Sequence, residues 1–322
     1  DLGAGRAEGI LIDKVPFEPQ KPGHCGPSVL SSLLGFWGRP ASQEEIGKEI
    51  YSAELKGTLG FFLWRYARRA GLAALEMPES PLDRLDALVA QGLPVILDLG
   101  LGAGGPQHYV LVVGHDRSRG LWILQDGRRP DRVVDQAWLL KRWAPTRRWA
   151  LLAFPAAHPV TGLGVDLHLQ AAERVEELGQ PEAALRHLEA ALAERGTSAV
   201  IGFRTGRLQK ALGRTEAAEK SYREAMRLAP ASPDAFNNLA LMLSENPARL
   251  DEAEALARAA VSLARADGDA ALRGPYALDT LGQILRRQGR GKEARQAFEA
   301  ALKAAEPDSP LAREIRGHLG KP

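Results

Sequence analysis

A single cysteine, Cys25, stands in 322 residues, so no internal disulfide can form, and either redox compartment is open to the chain. No apolar run approaches the roughly 18 to 20 residues that span a bilayer, so no transmembrane segment is expected. Neither half has an excess of one charge: the first 159 residues hold 19 basic and 17 acidic side chains, the remainder 23 of each. That balance argues against nucleic acid as the main partner. The histidines and carboxylates show no zinc spacing, and no glycine-rich stretch runs through Lys-Ser/Thr into a helix, so neither a metal nor another cofactor is expected. What remains is a 25% charged, 45% hydrophobic chain, long enough for two separate cores.

The lone cysteine is placed for chemistry. It sits in Gln20-Lys21-Pro22-Gly23-His24-Cys25-Gly26-Pro27, immediately before an apolar run of helical spacing at 28–37. A sulfur at a helix N-terminus meets unpaired N–H groups and the positive end of the helix dipole, both of which favour thiolate. Pro27 suits the first helical turn, and Gly23 and Gly26 let the backbone turn tightly on either side. A lone cysteine is more often a small buried hydrophobe, so the partners downstream decide the matter.

His108 opens a β-branched and aromatic run, Gln107-His108-Tyr109-Val110-Leu111-Val112-Val113-Gly114. Asp126 closes the next run, Leu121-Trp122-Ile123-Leu124-Gln125-Asp126-Gly127. Two antiparallel strands joined through residues 116–120 bring His108 and Asp126 together. An imidazole oriented by a carboxylate and facing a thiol is the arrangement for covalent acyl transfer. Gln20, five residues before the cysteine, is placed to donate an N–H to the oxyanion. Asp98, on the preceding run of residues 93–99, competes with Asp126 as the orienting acid. His24 points away from its neighbour at a helix start, and His115 and Asp116 fall at the far end of the His108 strand as turn residues. His158, His168, His187 and His318 read as surface residues.

The order Gln20, Cys25-Gly26-Pro27, His108-Tyr109-Val110 and Asp126 resembles the C39 group of papain-like cysteine peptidases, and within it the free-standing bacterial C39-like proteins that carry tetratricopeptide repeats. The resemblance covers residues 12–155. It implies Cys25 as nucleophile, His108 as base, Asp126 as orienting acid and Gln20 as oxyanion donor. The best known members are fused to membrane transporters and cut leader peptides after a Gly-Gly pair; no transporter lies within these residues. A first residue Asp1 fits removal of a preceding segment. The location expected is the bacterial periplasm or cell envelope, exported with or without a lipid anchor, with the cytoplasm as the alternative.

Helices at 28–37, 42–50, 58–70 and 81–91, followed by strands at 93–99, 107–114, 121–126 and 149–154, make an α+β papain-like domain over residues 13–155, after a mobile lead-in at 1–12. Residues 156–164 read as a linker. Beyond it the pattern changes: Ala172, Gly179, Ala184, Leu188 and Ala191 recur as Gly206, Gly213, Ala218, Tyr222 and Ala225, each shifted by 34 residues. Gly282, Gly289, Ala294, Phe298 and Ala301 repeat the set again. Small residues at these positions let paired helices approach closely, so residues 165–322 are expected as an all-α tetratricopeptide solenoid of about four repeats, closed by a capping helix at 311–319.

The function expected is a cysteine peptidase acting on a protein or peptide through Cys25, His108 and Asp126, its repeats recruiting substrate or another protein on their concave surface. Two alternatives stand beside it: a repeat-based adaptor whose papain-like domain only binds peptide, and transfer of the acyl group to an amine in place of water.

Overall fold

The computed structural model describes residues 9–100, 107–195, 198–266 and 270–320. The chain divides into two compact units, Asp1–Ala190 and Ala191–Pro322.

The first unit is built on an antiparallel sheet. Its strands are β1 (Gly9–Leu11), β2 (Leu72–Met77), β3 (Val95–Gly100), β4 (Gln107–Asp116), β5 (Leu121–Gln125), β6 (Arg132–Asp135) and β7 (Ala150–Pro155). They lie in the order β2-β7-β3-β4-β5-β6, with β1 added along the far end of β4. Helix α1 (Cys25–Phe36) packs on one face, joined by α2 (Gln43–Ile50) and α3 (Gly60–Arg69). Leu30, Leu33 and Leu34 of α1 are fully buried against Leu72 and Ala74 of β2, Ile96 of β3 and Leu111 of β4. Each such leucine contributes about 1.5 to 3 kcal/mol of burial, which fixes α1, and Cys25 at its tip, over the sheet. The start of α2 follows the sequence closely: Ser42 and Glu45 form a reciprocal capping box.

The sheet departs from expectation in three places. The lead-in is not mobile throughout, because Gly9–Leu11 pairs with Gly114 to Asp116, and the buried Ile12 donates its N–H to the Val113 carbonyl at 2.8 Å. Backbone groups of β4 left free beyond β3 recruit this strand, and such pairing leaves little side-chain signature; residues 1–8 lie outside the described residues. Strand β2 was not expected, since Leu-Ala-Ala-Leu-Glu-Met has good helical propensity and no alternation; burial of the strand overrides that propensity. Strand β6 and helix α5 (Gln136–Trp143), capped by Asp135 accepting from the Trp138 N–H, were likewise unforeseen.

Helices α6 (Val165–Glu177) and α7 (Pro181–Arg195) begin the helical repeats, and most of this hairpin belongs to the first unit. Residues 156–164, expected as a linker, carry the buried side chains of Ala156, Val160 and Leu163. Gln91 clasps Thr161 through its main-chain N–H and carbonyl. Arg174 of α6 donates to the Arg68 carbonyl at 2.7 Å, and Arg68 pairs with Glu177. His168 and His187 are buried and not surface residues; they face each other across the hairpin with their Nδ1 atoms 3.1 Å apart, and burial pushes His187 down to about 4.

The second unit is all-helical: α8 (Ala199–Ala211), α9 (Thr215–Leu228), α10 (Pro233–Leu243), α11 (Leu250–Ala266), α12 (Ala270–Arg287), α13 (Gly291–Ala304) and α14 (Pro310–Leu319). Gly206 and Gly282 show why the repeat requires a small residue at one position. A Cβ on Gly206 would stand 2.8 Å from the Tyr222 ring, and one on Gly282 2.6 Å from the Phe298 ring. The bulky partner of each pair is itself a repeat position. His318, also expected at the surface, packs beside Phe298 with Nδ1 2.8 Å from Asp279.

Candidate active site

Cys25 is the first residue of α1, with His24 before it as N-cap. The imidazole of His24 stacks on Tyr51 at 4.8 Å and donates Nδ1–H to the Pro22 carbonyl, so it is committed elsewhere. The Cys25 sulfur is half-buried, with the main-chain N–H groups of Tyr109, Gly26 and Cys25 itself directed at it. Burial pushes the thiol up and outweighs those N–H groups, and the charge of Asp98 adds to the rise. The helix N-terminus therefore does not make this a standing thiolate.

His108 is the second residue of β4. Its Nε2 lies 3.0 Å from the main-chain carbonyl of Asp126, at the end of the neighbouring β5. A carbonyl oxygen only accepts, so Nε2 carries the proton and the lone pair of the neutral ring is on Nδ1. Burial holds the imidazole below its ordinary value, opposed by the carbonyl and the charge of Asp126. Among the described residues, no hydrogen bond joins the ring to the Cys25 sulfur.

The carboxylate of Asp126 faces its own turn. Oδ1 accepts from the Arg128 and Arg129 N–H groups at 3.0 and 2.8 Å, and Oδ2 pairs with Arg132 at 3.0 Å. Burial pushes Asp126 up, yet these donors outweigh it and hold the group below the usual carboxylate range. Arg132 in turn lies over the Trp138 ring at 4.6 Å. Gln20 joins the same turn: its N–H donates to the Gly127 carbonyl at 2.8 Å, and its side chain lies against the Cα of Gly127. Gly127 has φ +78°, and a Cβ there would stand 2.6 Å from Gln20 Cδ, so a side chain at this position is strained and displaces Gln20. The Oε1 of Gln20 is buried without a partner among the described residues.

Gln20, Asp126 and His108 are thus bonded into one group, and Cys25, Tyr109 and Asp98 form a second. The chain step from His108 to Tyr109 links them. Asp98 lies opposite Tyr109 in the β3–β4 register; its carboxylate accepts the main-chain N–H of His108 and does not engage the ring. Burial outweighs that single donor and raises Asp98 to about 6. Tyr109, Trp149 and Glu76, which also stand here, had no individual role assigned from the sequence, since only their positions at one end of the sheet distinguish them. His115 is a strand residue, buried, stacked on Trp122 and paired with Asp86 at 2.9 Å, remote from Cys25. Among the described residues no group of three or more His, Cys, Asp or Glu could hold a metal ion, and no helix is long and apolar enough to cross a membrane.

Residues 12–151 match the family model of the peptidase C39-like family. Residues 203–232 and 280–320 match tetratricopeptide repeat models. Among solved structures, the peptidase domain of Streptococcus ComA, a bifunctional ABC transporter involved in quorum sensing, is 19% identical, with 44% of this chain and 98% of that chain covered and a TM-score of 0.38. MamA of Desulfovibrio magneticus is 20% identical over 50% of this chain and 84% of that chain, with a TM-score of 0.41. A curated sequence, the ATP-dependent dethiobiotin synthetase BioD of Caulobacter vibrioides, is 29% identical over 150 residues, 38% of this chain and 67% of that protein. The Gly-x4-Gly-Lys-Ser/Thr phosphate loop does not occur in this sequence.

Proposed function

We propose that this chain, a peptidase C39-like domain joined to tetratricopeptide repeats, is a cysteine peptidase that hydrolyses a peptide bond of a protein substrate. Tetratricopeptide repeats mediate protein–protein interaction, and here they recruit the substrate or a partner that delivers it. The observation that carries this reading is the hydrogen bond from His108 Nε2 to the Asp126 carbonyl, which leaves a basic Nδ1 on a residue whose neighbour, Tyr109, directs its N–H at the only thiol in the chain.

With the thiol held up and the imidazole held down, the resting pair is neutral. His108 Nδ1 takes the thiol proton as the sulfur attacks the carbonyl carbon, and the imidazolium returns that proton to the leaving amine. The oxyanion is met by the first-turn N–H groups of α1 and the side-chain amide of Gln20. Water then attacks the thioester, with His108 again as base. Asp126 acts through its carbonyl, while its carboxylate braces the turn.

The adaptor reading has one observation in its favour: the elevated thiol, with no hydrogen bond to the ring among the described residues. Intact mass after exposure to a peptide bearing an electrophile, together with hydrolysis of a peptide library, separates the two. A covalent adduct and turnover that both vanish in Cys25→Ala support the peptidase. Binding of peptide without adduct or turnover in the wild type assigns the adaptor role.

A further inference from the structure

The face of the sheet beneath α1 is aliphatic until its last row. Ala74, Leu151, Ile96 and Leu111 pack against α1, and residues two further along each strand share that face. On it, at the end below Cys25, stand Trp149, Asp98 and Tyr109 side by side: Asp98 lies opposite Tyr109 in register, and its N–H meets the Trp149 carbonyl at 3.4 Å. Glu76 of β2 stands diagonally behind, accepting Trp149 Nε1–H at 3.2 Å. The rings of Tyr109 and Trp149 meet edge to face at 5.9 Å. The charges of Asp98, Cys25 and Glu76 all bear on the Tyr109 phenol, which is pushed up by burial first and by these neighbours next.

Asp98 is only 6% exposed, and its Oδ1 has no partner among the described residues. Its surroundings supply one main-chain N–H and no side-chain cation, and neither it nor Glu76 has an ion-pair partner among the described residues. A buried carboxylate left uncompensated is costly, and such groups concentrate where a ligand completes them. Two carboxylates set around two aromatic rings are the chemistry that receives an ammonium or guanidinium group.

We propose that Asp98, flanked by Tyr109 and Trp149 and backed by Glu76, forms a subsite for a lysine or arginine side chain next to the scissile bond. The proposal rests on Cys25 being the nucleophile. A substrate cation there also offsets the charge that disfavours the thiolate, so the preferred residue is both held and used to ready the sulfur.

The test uses the full chain and peptide pairs that differ only in Lys against norleucine, or Arg against citrulline, at each of the two positions on either side of the cleaved bond. At one position the cation should raise kcat/KM about tenfold or more, the range of a charge-assisted hydrogen bond. Asp98→Asn keeps an acceptor for the His108 N–H; it should reduce that preference to about twofold or less, read as the ratio of the paired peptides within the variant. Glu76→Gln, at a half-buried position, should reduce it in part. Equal rates for all pairs in the wild type, or equal losses on both members in Asp98→Asn, would overturn the subsite. Binding of the same pairs to Cys25→Ala, followed by Trp149 fluorescence, separates the two readings. An Asp98-dependent preference for the cation in binding, in a chain that never turns over, keeps the subsite and removes the peptidase.

Discussion

His108 Nε2 is held at 3.0 Å by the main-chain carbonyl of Asp126, while the carboxylate of the same residue turns away to Arg128, Arg129 and Arg132. The tautomer of the base is therefore fixed by backbone, which no side-chain substitution at 126 removes directly.

Asp126→Asn should accordingly lower kcat by about tenfold or less, well short of the roughly 10⁴-fold loss seen when a triad carboxylate is the group holding the ring. The damage expected is to the turn, through weakened contacts to Arg132 and the two amides. Arg132→Ala should produce a loss of the same size. Steady-state rates on one peptide decide it: a thousandfold drop in Asp126→Asn would mean that the carboxylate swings onto the imidazole during turnover.

Much of this arrangement was legible in the sequence. The hairpin that pairs the His108 and Asp126 runs follows from alternation and a short turn, and the position of Cys25 follows from Pro27 and the leucines behind it. Which atoms of Asp126 would reach the ring was not legible, because the choice between carbonyl and carboxylate depends on the turn that Gly127 permits. The elevated thiol was also hidden: it arises from burial of the α1 tip against the sheet and from Asp98, which lies 73 residues away in sequence. The helical repeats were plain from their 34-residue period, whereas His168 and His187 gave no sign that they would meet inside a hairpin.

Asp98 makes stability depend on pH. Its carboxyl is raised from 3.8 to about 6, so between those values the folded chain binds more protons than the unfolded one. Stability contributed by the neutral form is present below about 4 and is lost as pH rises through about 6, a change on the order of 3 kcal/mol. Asp98→Asn should thus melt higher than the wild type at pH 7.5, with the difference closing towards pH 4. Melting curves that stay parallel over this range would show that the carboxyl has another compensating group.

Gly127 and Gly38 offer a matched pair. Both have positive φ, +78° and +68°, yet only Gly127 has a neighbour where a Cβ would go. Gly38→Ala should cost about 1 kcal/mol from backbone alone. Gly127→Ala should cost about 1 to 3 kcal/mol more and lower kcat as well, since the added methyl displaces Gln20. Equal denaturation midpoints and an unchanged kcat would show that Gln20 moves aside freely.

The boundary of the first unit can be tested by truncation. A fragment ending at residue 195 retains α6, α7, the Arg174 contacts and the ring of His187 beside Phe154. One ending at 158 removes Leu163, α6, which packs on β2, and α7. The longer fragment should unfold cooperatively, and the shorter should be less stable by about 2 kcal/mol or more and bind hydrophobic dyes. Coincident unfolding curves would make the hairpin dispensable for the sheet.

A sulfur that rests as a thiol has a further consequence, for its survival. Peroxide attacks thiolates, and this chain holds no second cysteine with which a sulfenic acid at position 25 could close into an internal disulfide. Protonation in the resting state is then the site's own protection against irreversible oxidation. Incubation in dilute peroxide should destroy the thiol far more slowly at pH 6.5 than at pH 9.5, and a substrate that draws out the thiolate should also expose it.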